Sequence, residues 1–208
     1  MNLKALLEES GREGAIKILV GNLDSLDIGI VLDAMRHLTT LQAKDACEGL
    51  EKLTQHEDFL LRGVSIKALF KIDKDRVFSL IEKAVIQDED SWIRMECAEM
   101  LGECSSKKEE VKRVLKEVLD DEKVEVRLKA ASSLAKHGDT SGHRVALEAV
   151  ENEKEKYDED IRKEAVEILG EIGVNDEETI EAVKNYERET CVGRQTLERL
   201  GVRTRRFE

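Results

Sequence analysis

Ile93 to Cys104 reads IRMECAEMLGEC, Val126 to His137 reads VRLKAASSLAKH, and Ile161 to Ile172 reads IRKEAVEILGEI. Laid over one another, the three share an aliphatic residue followed by Arg, a small residue three or four positions later, and Leu seven after the Arg. LRGVSIKALFKI from Leu61 fits the same frame, as do IVLDAMRHLTTL from Ile30 and VGRQTLERLGVR from Val192, with Val31 and Gly193 in the Arg slot. The anchors therefore fall at 31, 62, 94, 127, 162 and 193. Leu38, Leu69, Leu101, Leu134, Leu169 and Leu200 stand seven residues after them. At roughly 10% leucine usage, six such matches arise by chance about once in a million. The chain is an internal repeat.

Within each copy the aliphatic residue before the anchor, the small residue after it and the Leu form one apolar stripe at helical spacing. Asp27, Asp58, Asp90 and Asp158 lie four before their anchors, where a carboxylate caps a helix start. After each of these "A" helices comes a polar break, such as SSKK at 105–108 or GDTSG at 138–142. A second amphipathic stretch follows, and these "B" helices are expected near 42–55, 75–87, 107–120, 142–153 and 177–188. One helical hairpin cannot bury its stripe alone, so successive hairpins must stack. The expected fold is all-α, an α-α superhelix of about six hairpins forming a single domain over 1–208. Residues 1–30 would form an incomplete N-terminal repeat or cap, 31–191 the central repeats, and 192–208 a capping helix with an Arg-rich tail.

Composition agrees with that class. Of 208 residues 38% are charged and 40% hydrophobic, with seven aromatics and no proline. About ten prolines would be ordinary at this length, and their absence favours uninterrupted helices. The formal charge of -12 works against unaided binding to nucleic acid or an anionic membrane. MNLKALLEES at the start has no apolar core of a signal peptide, and no run approaches a membrane span. A cytoplasmic protein is expected. Cys47, Cys97, Cys104 and Cys191 form no CxxC pair and read as small buried hydrophobes. Asn and Gln are scarce beside Glu, Lys and Arg, a pattern of hyperthermophiles. The corresponding expectation is a melting midpoint above about 60 °C, checked by a thermal scan.

The frame resembles the HEAT repeat, in the short form also found in phycobilin lyase subunits, roughly D-x-D-x-x-V-R-x-x-A-A-x-x-L-G. DEDSWIRMECAEMLG (Asp88 to Gly102), DEKVEVRLKAASSLA (Asp121 to Ala135) and DEDIRKEAVEILG (Asp158 to Gly170) carry the likeness. The resemblance implies a solenoid whose B helices line the concave partner face. It also implies a structural role for Arg62, Arg94, Arg127 and Arg162 in bridging adjacent repeats. One fold hosts many activities. A HEAT-type enzyme class, the deoxyhypusine hydroxylases, uses several His-Glu pairs to hold two irons, whereas this chain has the single pair His56-Glu57. HEAT-like DNA glycosylases require a basic surface that this acidic chain lacks.

No convergent nucleophile, base and orienting group is legible. His37, His56, His137 and His143 sit in different repeats, although His137 and His143 flank one turn. The sequence offers no cofactor or metal set and no phosphate-cradling glycine loop. A non-enzymatic scaffold binding another protein is therefore expected, as a monomer or weak homo-oligomer. A subunit of a lyase-like enzyme and a nucleic-acid binder are the alternatives. Candidate partner contacts are Phe78, Lys112, Arg144 and Leu147 on B helices, and Trp92, the single tryptophan, at an A-helix start. Arg203, Arg205 and Arg206 in the basic tail complete the set.

Overall fold

The computed structural model describes residues 2–151, 159–187 and 193–202. Twelve α-helices and two short 3₁₀ turns account for the regular structure among them, with no strand. They fall into two compact units, 1–84 and 85–208.

The first unit opens with α1 (Leu3–Gly21), in which two helical segments meet at Gly11. Gly11 has φ 67° and ψ 177°, a region of the map that is essentially glycine's alone. A 3₁₀ turn leads to α2 (Ile28–Thr40), and a second to the short α3 (Cys47–Leu53). Next come α4 (Phe59–Ile72) and α5 (Lys74–Gln87), whose last residues pass into the second unit. The A helices α2 and α4 pack side by side, and α3 packs on α4.

The second unit alternates A helices α6 (Ser91–Gly102), α8 (Val124–Lys136), α10 (Glu159–Ile172) and α12 (Gly193–Arg199) with B helices. The B helices are α7 (Lys108–Val118), α9 (His143–Glu151) and α11 (Glu177–Glu187). Neighbouring A helices pack on each other, α6 on α8, α8 on α10 and α10 on α12. α9 meets α8, α10 and α11. B helices thus lie within two or three residues of the bounds expected from the sequence, except that 42–55 yields only α3 after its 3₁₀ turn.

The repeat frame predicts the core. All six anchor leucines are buried. So are the B-helix positions Leu50, Ile81, Val111, Val114, Leu115, Ala149 and Val183. The cap aspartates work as expected where they are described. Asp27 Oδ1 accepts from the Gly29 N–H at 2.8 Å, Asp58 Oδ1 from Leu60 at 2.8 Å, and Asp90 Oδ1 from Trp92 at 2.9 Å. Asp158 lies outside the described residues. The frame fails at Ile30, whose counterparts Leu61, Ile93 and Val126 are buried but which is 44% exposed. Cys47, Cys97 and Cys104 are free and buried, as small hydrophobes would be, and burial raises the thiol pKa of Cys47 and of Cys97. Cys191 is outside the described residues.

Close helix approach adds a second layer of order. Ser133 on α8 is fully buried and donates its hydroxyl to the Ala98 carbonyl of α6 at 2.8 Å. Thr196 on α12 likewise donates to the Val166 carbonyl of α10 at 3.2 Å. Both carbonyls belong to the position four after an Arg anchor. Beside them stand Gly102 and Gly170, eight after the same anchors; a Cβ at Gly102 would come within 2.5 Å of the Ser133 Oγ. A buried hydroxyl needs such an acceptor, and glycine lets the helix carrying it come close. No helix among the described residues is long and apolar enough to cross a membrane.

Candidate functional site

The anchor arginines are the first candidates, because a row of guanidinium groups can bind phosphate. Their geometry assigns them otherwise. Arg62 donates from Nη1 to the carbonyls of His56 and Glu57, at 3.0 and 2.9 Å. Arg94 repeats this on Asp88 and Glu89, at 2.8 and 3.3 Å. Arg127 donates to the Asp121 carbonyl. In each case the side chain folds back five or six residues and fastens the loop that precedes its own helix. Arg94 also reaches forward, with Nε and Nη2 on the two carboxylate oxygens of Asp121 at 2.7 and 3.0 Å. Asp121 opens the next repeat, so this bidentate pair joins consecutive hairpins. Arg162 reaches back to the Val150 carbonyl of α9 at 3.4 Å and stacks over Tyr186, 5.1 Å from the ring centre. Arg62 and Arg94 are buried, with their donors turned to these protein partners.

The histidines are similarly engaged. His56 Nδ1 accepts from the Asp58 N–H at 2.9 Å, so the lone His-Glu pair belongs to a loop held by Arg62. His137 Nε2 lies 3.1 Å from the Leu101 carbonyl, and His143 Nε2 lies 2.7 Å from the Thr179 hydroxyl. The turn between these two histidines sends their Nε2 atoms to separate partners on α6 and α11. No cluster of three or more His, Cys, Asp or Glu side chains that could hold a metal ion occurs among the described residues.

The candidate partner contacts are scattered. Phe78 and Leu147, two of the candidate partner contacts on B helices, are instead in the core at 3% and 1% exposure. Leu147 belongs to the cluster that includes Val150, Val166 and Leu169. With helices packed on several sides of α9, a position outside the helical stripe is still covered. Trp92 is half-buried at the start of α6. Lys112 is half-buried on α7 and pairs with Glu109 at 3.3 Å. Arg144 is exposed on α9 between Glu148 and Glu178, at 2.9 and 3.3 Å. Arg203, Arg205 and Arg206 lie outside the described residues.

Two surface recesses went unanticipated. In the second unit, about 370 Å³ opens beside Ile86, Arg94, Glu117, Asp120, Asp121 and Glu122. Its lining contains no Ser, Thr, Cys or His, so it carries no hydroxyl or thiol nucleophile beside an imidazole base. Glu117 pairs with Arg113 and Asp121 with Arg94. In the first unit, about 250 Å³ opens between α2 and α4. Leu32, Met35 and Val64 line it, and Arg36, Lys67 and Lys71 stand at its edge, exposed to solvent.

The HEAT-repeat family profile matches residues 48–135 and 83–156, which together span just over half of the chain. The chain belongs to the HEAT-repeat family. Among solved structures, this HEAT-repeat chain is similar to an engineered protein with a TM-score of 0.56 and 19% identity, covering 89% of this chain and 94% of the other. A designed armadillo repeat protein gives a TM-score of 0.56 at 14% identity, over 89% and 99% of the two chains. Both likenesses are of fold, that of helical-repeat solenoids. The complex of CpcE and CpcF of phycocyanin lyase from Nostoc sp. gives a TM-score of 0.49 at 13% identity, over 96% and 87%. No curated protein matches the sequence.

Proposed function

We propose that this HEAT-repeat chain is a non-enzymatic interaction scaffold whose ligand is another protein. The observation that carries the reading is the apolar surface at the start of two neighbouring A helices. Leu26, Ile28 and Ile30 around the beginning of α2, and Phe59 and Leu60 at the beginning of α4, are all exposed. At the positions three and two before the anchor, α8 carries the buried Val124 and then Glu125, and α10 carries Glu159 and Asp160. Scattered exposed hydrophobes need no explanation, but a set repeated at one edge of packed helices is what a protein contact uses. The arginine and histidine groups described above support the same reading, because loops and neighbouring helices already engage them. The partner side thus includes A-helix ends as well as the B helices, where Lys112 and Arg144 remain candidates.

The test is capture from a lysate of the source cells at moderate salt, with wild type and F59D/L60D side by side. A protein retained in stoichiometric amount by the wild type and lost from the variant, with unchanged circular dichroism, is the expected result. An eluate carrying a coloured cofactor or nucleic acid and no protein overturns the scaffold reading.

A further inference from the structure

Resting on the scaffold reading, a more specific assignment comes from the apolar edge at the starts of α2 and α4. Leu26 is fully exposed, yet the backbone on either side of it is fastened. The Ser25 N–H donates to the Asn22 carbonyl at 3.2 Å, and the Ser25 hydroxyl accepts from the Asp27 N–H at 3.1 Å. On the neighbouring helix, Phe59 and Leu60 follow a loop held by Arg62 and by the His56 ring. Side chains carried on fixed backbone give up little further freedom on binding, so this edge is preorganised for contact.

The repeat frame shows that Leu26 is unusual for its place. It stands five before its anchor, where the next three copies have Glu57, Glu89 and Glu122, all exposed. A carboxylate there suits water, whereas a leucine there suits a partner. The charge carried by these segments has one sign. No Lys or Arg occurs between Lys17 and Arg36, or between Lys52 and Arg62, and Arg62 is buried against its own loop. Asp27 and Asp58 turn Oδ1 to the first N–H groups of their helices, which offsets the positive helix ends. Asp24 and Glu57 are exposed, and neither carboxylate is in an ion pair among the described residues. These two are the charges that a ligand meets.

We propose that this edge docks a basic amphipathic segment of a partner protein. The apolar face of the segment covers Leu26, Ile28, Ile30, Phe59 and Leu60, while its flanking Lys or Arg side chains meet Asp24 and Glu57. The exposed apolar side chains select a hydrophobic face, and the two carboxylates select a cationic flank. A nucleic acid is opposed by the same carboxylates, because its affinity comes from cations that neutralise phosphate. A second copy that applied this same edge would set Asp24 and Glu57 against their own kind, which charge also opposes.

The experiment uses the full chain and a short fluorescein-labelled helical peptide with Leu on one face and Lys flanking it, read by fluorescence anisotropy at moderate salt. Controls are the same peptide with Glu for Lys and the same with Ser for Leu. The Lys/Leu peptide is expected to bind wild type, and both control peptides should bind at least about tenfold more weakly. D24K/E57K should weaken the Lys/Leu peptide by at least about tenfold. E167K/E181K, which makes the same change of net charge at two exposed positions of the second unit, should leave it unchanged. L26S should also weaken binding, and because Leu26 is fully exposed that variant should keep its melting curve. Equal binding of the Glu peptide, or wild-type binding by D24K/E57K or by L26S, overturns the proposal. An equal loss in E167K/E181K overturns it too, since net charge alone would then attract the peptide. So does concentration-dependent self-association in sedimentation that D24K/E57K abolishes, which would make the basic stretch of a second copy, with Arg203, Arg205 and Arg206, the occupant. Lysate capture separates the two levels. A partner lost from F59D/L60D but retained equally by wild type and D24K/E57K leaves the scaffold standing and removes a basic segment as its ligand.

Discussion

Asp121→Ala is expected to destabilise the second unit by about 3–5 kcal/mol, the usual consequence of removing one member of a buried ion pair. Side-chain exposure is 7% for Arg94 and 10% for Asp121, and both guanidinium–carboxylate hydrogen bonds are well formed. The variant leaves Arg94 with its backbone carbonyls and, as counter-charge, only the exposed Glu122 carboxylate at 3.5 Å. Urea titration followed by circular dichroism measures the loss. The double variant R94M/D121L removes both charges and should recover part of the stability, because it relieves the orphaned charge but still loses the Arg94 bonds to the Asp88 and Glu89 carbonyls. If D121A matches wild type, the pair is a surface contact in solution and does not join the hairpins.

The same carboxylate sets an acid limit. Burial acts to raise the Asp121 pKa, but hydrogen bonds from the Arg94 side chain and the Lys123 N–H outweigh it and hold the value below normal. Asp139, in the turn after α8, is likewise subject to burial. The Ser141 hydroxyl and Lys116 of α7, whose Nζ lies 2.9 Å away, bring its pKa down to about 2. Depressed folded-state values mean that both aspartates contribute fully above the unfolded value of about 4. That contribution declines as pH falls through the folded values. Wild-type stability should therefore drop between about pH 4 and pH 2, and D139N should flatten part of that slope.

The fold was legible because stacking imposes a strict register on every copy. An anchor leucine that must reach the core six times leaves a pattern that one sequence can reveal. The loop-fastening role of Arg94 was partly legible, since the resemblance implied a bridge, but its folding back onto its own loop required coordinates. Leu147 shows where stripe reasoning ends. Helical spacing locates the centre of a buried face, while its width depends on how many neighbours the helix has, and α9 has three. The basic recess was missed for another reason. The change of sign from Lys67 to Glu99 and Glu167 stands in the sequence at the position five after each anchor, but that this position borders a recess depends on how α2 packs on α4. Ile30 is the converse, a stripe position that remains exposed at the edge of the first unit.

Gly142→Ala is the second substitution expected to have a large effect. The residue closes the turn before α9, where its carbonyl receives the Ala146 N–H. A Cβ there would lie 2.5 Å from the Ala131 Cβ and 2.6 Å from the Ala131 Cα of α8. The obstacle is partly backbone, so no rotamer change relieves it and α8 and α9 must separate. Ala131 is fully buried in the core of the second unit, so separation loosens packing that A and B helices share. Overpacking of this kind typically destabilises by about 1–3 kcal/mol, read as a lower urea midpoint. A131G/G142A should restore only part of the loss, because removing the Ala131 Cβ leaves its Cα in place. Gly138 provides the contrast in the same turn. Its φ is 70° with open space around the added Cβ, so any cost at G138A comes from its own backbone and A131G should not reduce it. Equal rescue at both positions would mean that A131G does not act through contact between α8 and the residue at 142.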